Sequence, residues 1–158
     1  MFLLLSKITI LIPIILCLLL LYFPYIDYNG IDISPDFSLI VIILIAFNSN
    51  RKNSTLAGFF IGLFQDFLTQ YLTLGFLSLL GTCFGYSIGN IRFLKKIYMR
   101  YLFISFLVFI YFFMRFIMQY SESYFFYFKF SFIKMIITII TLFLLRFFFV
   151  ILFKSSRN

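Results

Sequence analysis

The chain has 158 residues, of which 64% are hydrophobic and 11% charged, with a formal net charge of +8 and no histidine. A domain of that make-up cannot stay monomeric in water, so lipid is its expected solvent. Without His the commonest general base and metal ligand is missing, and Cys17 and Cys83 are too isolated for a disulfide framework or metal site, so neither catalysis nor a cofactor is expected.

Apolar runs and their polar punctuation predict an all-α membrane protein. The expected form is a single domain, a bundle of about six transmembrane helices over roughly 7–25, 36–47, 55–68, 74–91, 101–117 and 131–153. The first run, Ile8 to Phe23, follows Lys7 like a secretion signal. It closes in Phe23-Pro24-Tyr25-Ile26-Asp27 with no small-x-small cleavage site, so a retained helix is expected. Tyr28-Asn29-Gly30-Ile31-Asp32 reads as a turn, and Ser34-Pro35-Asp36 as N-cap, N1 proline and first-turn acid of the second helix. The second and third runs are short. Two complete crossings of a locally thinned bilayer are preferred to a shallow hairpin, which would put Arg51 and Lys52 at mid-bilayer.

The cations set the orientation, because Lys and Arg near helix ends stay on the cytoplasmic side. Lys7, Arg51, Lys52, Arg92, Lys95, Lys96, Arg100, Lys154 and Arg157 fall on one side of a six-crossing arrangement, which places both termini in the cytoplasm. The opposite connectors carry Asp27, Asp32, Asp36 and Glu122, with Lys129 and the nearby Lys134. Tyr22, Tyr25, Tyr28, Tyr71, Tyr111, Tyr120, Tyr124 and Tyr127 cluster toward that outer side, where 120–130 is expected to lie along the interface.

Gly58, Gly62 and Asp66 stand at i, i+4 and i+8, and Gly81, Gly85 and Gly89 repeat the spacing in the next segment. Such faces let helices meet backbone to backbone, either inside the bundle or against a partner helix. Asp66 is the one acid inside an apolar segment. An intramembrane carboxylate calls for a cation, and Arg115, at comparable depth in the fifth segment, is the predicted partner. The alternatives are that Asp66 caps a helix or snorkels to the outer interface, and that Arg146 snorkels to the inner one. No segment shows a polar stripe, which argues against a pore.

Pro35-Asp36-Phe37-Ser38-Leu39, a basic turn, then Gly58-Phe59-Phe60-Ile61-Gly62-Leu63-Phe64-Gln65-Asp66 and Leu74-Gly75-Phe76 through Gly85-Tyr86 resemble the rod shape-determining protein MreD family over roughly residues 35 to 92. By that resemblance Pro35, Asp36, Gly58, Gly62, Asp66, Gly75 and Gly85 are the motif positions. The resemblance implies a non-enzymatic inner-membrane subunit of the machinery that builds the lateral cell wall and maintains rod shape. Its partner would be the bitopic protein MreC, and through it MreB filaments and the glycosyltransferase and transpeptidase pair that make peptidoglycan. Small-residue faces would dock partner helices, and a basic rim would meet anionic lipid or a cytoplasmic partner; nucleic acid is not an expected ligand. The competing reading is the substrate-binding S-component of an energy-coupling-factor vitamin transporter, by resemblance a related six-helix fold. Such subunits look alanine-rich in the first helix, whereas Leu11 to Leu21 holds no alanine.

Overall fold

The computed structural model describes residues 27–28, 31–69, 75–91, 94, 96–119 and 123–155. The expected helix over 7–25 lies outside them, as do Arg92, Lys95, Glu122 and Arg157.

A minimal antiparallel ladder, β1 (Asp27–Tyr28) on β2 (Ile31–Asp32), precedes five helices: α1 (Phe37–Asn48), α2 (Arg51–Thr69), α3 (Phe76–Gly89), α4 (Ile97–Gln119) and α5 (Tyr124–Ser155). The described fold is thus all-helical apart from that two-residue pairing.

Several expected boundaries move. Asp36 is the N-cap of α1 itself, its side chain accepting from Ser38 N at 3.1 Å and Leu39 N at 3.3 Å, so Ser34 stands outside the helix. The helix closes at Ser49, whose N–H and hydroxyl both reach Ile45 O, at 2.8 and 2.6 Å. Only Ser49 and Asn50 then separate α1 from α2, which starts at Arg51, four residues before the apolar run at 55. Arg and Lys are good helix formers, so a helix continues past the point where hydropathy falls. α5 also begins earlier, at Tyr124 rather than the expected 131. With no Gly or Pro between Tyr124 and Ser155, nothing interrupts it, and 124–130 is helix rather than a separate interfacial stretch.

The core is built around α1. Leu39, Ile40, Ile42 and Ile43 are each at most 2% exposed. Five consecutive positions from 39 to 43 sweep the whole circumference of a helix, so α1 is enclosed on every side. Phe84 and Ile88 of α3, Ile104, Val108 and Phe112 of α4, and Leu142 of α5 pack around it. On α4 the buried positions 104, 108, 111, 112 and 116 form one stripe.

The other faces of α4 and α5 are apolar too. Leu102, Phe106, Met114 and Met118 project outward from α4, and Phe125, Phe128, Phe132, Ile140 and Phe147 from α5. Ile97–Gln119 and Tyr124–Phe147 are long and apolar enough to cross a membrane, and only 28% of each apolar window is buried inside the bundle. A soluble helix would turn a charged face outward there. Phe37–Phe47 and Phe76–Gly89 are shorter apolar helices.

Charge sorts by end. Arg51 bonds Asn90 at the end of α3, while Arg146 reaches Tyr101 Oη and lies 5.3 Å from the Phe47 ring, gathering these residues at one end of the bundle. Asp36, Asp66 and Arg115 occupy the other.

Candidate functional site: a glycine seam capped by a buried polar network

The six predicted packing residues all lie along the contact between α2 and α3. α2 and α3 are in backbone contact along their length: a Cβ on Gly62 would stand 2.6 Å from Ser78 Cα, and one on Gly89 2.9 Å from Arg51 Cα. Gly58 and Gly81 face one another, and Gly85 lies against Ser54. Ser54 Oγ sits 2.9 Å from both Gly85 O and Arg51 O, so its single proton can close either a cross-helix or a local bond. The reading of these faces as docking surfaces for a partner helix is therefore corrected: internal packing of α2 on α3 occupies both, because two complementary grooves in consecutive antiparallel helices find each other first.

A branched side chain in this seam has no room. Gly62→Val should destabilise the protein by about 1–3 kcal/mol or more through overpacking against backbone that cannot yield. The check is the midpoint of thermal unfolding in detergent. A midpoint unchanged from the parent would contradict the close approach.

At the top of the seam Asp66, 6% exposed, caps the helix that follows. Its Oδ1 accepts from Leu77 N at 3.0 Å, and its Oδ2 from Ser78 N at 2.9 Å and Gly75 N at 3.2 Å. α3 has no local side-chain cap, since its N-cap position is Gly75, which adopts φ +97, a region that favours glycine. A carboxylate from the preceding helix supplies what that glycine lacks.

The expected Asp66–Arg115 ion pair is accordingly corrected. Arg115 Nη1 lies 2.8 Å from Asp36 Oδ2, with the two side chains 14% and 5% exposed. Asp66 is held by three backbone donors, whereas Asp36 has one oxygen on the α1 cap and a second left for a cation.

Around that pair lies a network the sequence reading missed. Gln65 Nε2 donates to Ser38 Oγ at 2.7 Å and to Asp36 Oδ1 at 3.3 Å, and Tyr111 Oη donates to Gln65 Oε1 at 3.3 Å. Four helical elements are tied together: the α1 cap, α2 through Gln65, α4 through Tyr111 and Arg115, and, through the neighbouring Asp66, the start of α3. Gln65 is legible in the sequence only as a polar residue beside Asp66 in an apolar run, with no charge to call for a partner.

The inward face of α5 corrects the expectation of no polar stripe. Ser131, Lys134 and Thr138, at i, i+3 and i+7, are 0%, 5% and 0% exposed. The Lys134 ammonium sits 5.5 Å from the Phe112 ring centroid and 6.0 Å from that of Phe116, within cation–π range. Among the described residues the buried charges therefore balance, Asp36 and Asp66 against Arg115 and Lys134. Lys134, at the centre of the stripe, is packed against aromatic rings of α4.

No family model, curated protein or solved structure matches the chain. Its chemistry is read from geometry alone. The polar atoms around Asp36 and Asp66 hold one another, an arrangement that fixes helices rather than one poised to activate a nucleophile.

Proposed function

We propose that this chain is a multi-pass scaffold of the bacterial inner membrane, a bundle of about six crossings with both termini in the cytoplasm, serving the MreD-like role in lateral cell-wall synthesis. Its partner on this reading is an MreC-like bitopic protein, with MreB filaments and the peptidoglycan-polymerising pair reached through it. No chemical step is assigned.

One observation carries the reading. Of the seven residues on which the family resemblance rests, six serve a single rigid device: Asp36 and Asp66 as caps, Gly75 as the positive-φ turn, and Gly58, Gly62 and Gly85 as the seam. A motif whose members brace three consecutive helices suits a scaffold, whose task is to present a fixed surface. Two further features support a membrane setting: the apolar outward faces of α4 and α5, and the sorting of Arg51, Lys52, Lys96, Arg100 and Arg146 away from Asp36 and Asp66.

Depletion from a rod-shaped host should round the cells, and affinity purification of the tagged chain in mild detergent should recover an MreC-like single-span protein. Stoichiometric retention of a small vitamin, with no cell-wall protein recovered, would overturn this in favour of the transporter S-component. Reporter fusions at Asn50 and Lys96 should report cytoplasm; a periplasmic signal at both would reject the orientation.

A further inference from the structure

We propose that Arg51, Lys52, Tyr86 and Asn90 form a binding site for the phosphate of an anionic phospholipid, with the exposed face of α3 below it receiving the acyl chain. The proposal deepens the membrane reading above and rests on it.

The head of the site is a guanidinium held from two directions. Arg51 Nη1 donates to Asn90 Oδ1 at 3.3 Å, and Arg51 Cζ lies 4.2 Å from the centroid of the Tyr86 ring. The backbone beneath is fixed as well, because the seam at Gly89 brings α3 against Arg51 Cα. One donor of the five in the planar fork is engaged with Asn90, and the residue is exposed, so the remaining donors face outward in a defined geometry. That is the arrangement in which Arg loses least entropy on meeting a phosphate. Asn90 accepts through its oxygen, which leaves its amide N–H groups as further donors, and the exposed Lys52 adds an ammonium next in the chain. The buried acids Asp36 and Asp66 are at the far end of the bundle.

What lies below the guanidinium selects a lipid over an acidic peptide. Tyr86, Cys83 and Leu79 follow one another down a single face of α3, with Tyr86 44% and Leu79 60% exposed and Cys83 exposed between them. An extended peptide laid on that wall would leave its amides without partners. A phospholipid satisfies both parts at once, its phosphate on the donors and its chain along the wall, while the Tyr86 ring sits at headgroup level.

The test uses the purified full chain in detergent, titrated with phosphatidylglycerol, with phosphatidylcholine, and with glycerol 3-phosphate. Bound lipid is counted by native mass spectrometry and stability is followed by thermal unfolding. Phosphatidylglycerol should bind and raise the unfolding midpoint, and the other two should not. R51Q/K52Q should weaken phosphatidylglycerol binding about fivefold for each charge removed, whereas K129Q, which removes an exposed charge at the opposite end of the bundle, should leave it unchanged. Y86L keeps both cations and should lose part of the effect, which covers the case that the double variant folds poorly. Equal binding of phosphatidylcholine, or an equal loss per charge removed in R51Q/K52Q and in K129Q, would overturn the site. An equal response to glycerol 3-phosphate would reassign it to a soluble phosphate, and preferential binding of an acidic peptide to a protein partner. Failure of the membrane reading itself would be seen separately, as release of the chain from membranes by alkaline carbonate.

Discussion

Asp36→Ala should be the most damaging single substitution in the polar network, and clearly worse than Arg115→Met at the other end of the same ion pair. Removing the carboxylate deletes the α1 cap, worth about 1 kcal/mol. It also takes the carboxylate away from the Arg115 guanidinium, and breaking a buried pair from one side costs about 3–5 kcal/mol. Arg115→Met is milder because Asp36 keeps Ser38 N, Leu39 N and Gln65 Nε2 as donors. Asp36→Asn in the Arg115→Met background should restore part of the loss, since Asn still caps a helix and no unpaired charge remains. Thermal unfolding in detergent of the parent, Asp36→Asn, Arg115→Met and the double variant forms a double-mutant cycle. Additive losses, with no coupling between 36 and 115, would mean that the pair is not a structural unit. Reversal at 66 and 115 together should rescue nothing, since Asp66 is bound to backbone.

Asp66→Ala should rank second and act locally. It leaves the buried N–H groups of Leu77 and Ser78 without their acceptor at the start of α3, each at a cost of about 1–3 kcal/mol, while the N–H of the exposed Gly75 can turn to other acceptors. Asp66→Asn retains one acceptor oxygen and should lose less than half as much. Hydrogen exchange followed by mass spectrometry distinguishes this from general unfolding: protection should fall first over 75–80, with α4 and α5 unaffected. Uniform loss of protection, or none, would deny Asp66 its capping role. Both variants also bear on the proposed scaffold, because loosening the hairpin should round cells in proportion to lost stability without changing any turnover.

Much of the fold can be read without coordinates. Runs of Ile, Leu and Phe locate five described helices near their expected places, and Ser34-Pro35-Asp36 marks the start of α1 to within two residues, the capping role passing from Ser34 to Asp36. The helix ends are poorly marked, since hydropathy reports which residues prefer lipid and Arg51, Lys52 or Tyr124 can extend a helix without doing so. The glycines at 58, 62, 81, 85 and 89 are visible as close-packing positions because a missing Cβ is a property of the residue itself.

Their partner is not. Whether a groove meets its neighbour in the chain or another protein depends on how two helices are rotated about their axes, which no one-dimensional pattern encodes. The same holds for the charges. Residue identity and periodicity by themselves determined that this chain prefers apolar surroundings, forms helices there and carries a carboxylate at 66 and a cation at 115. Only the tertiary structure decided that the cation meets Asp36 and the carboxylate meets three amides, because pairing is set by depth and azimuth together, and a backbone N–H, present at every residue but proline, leaves no mark in a sequence.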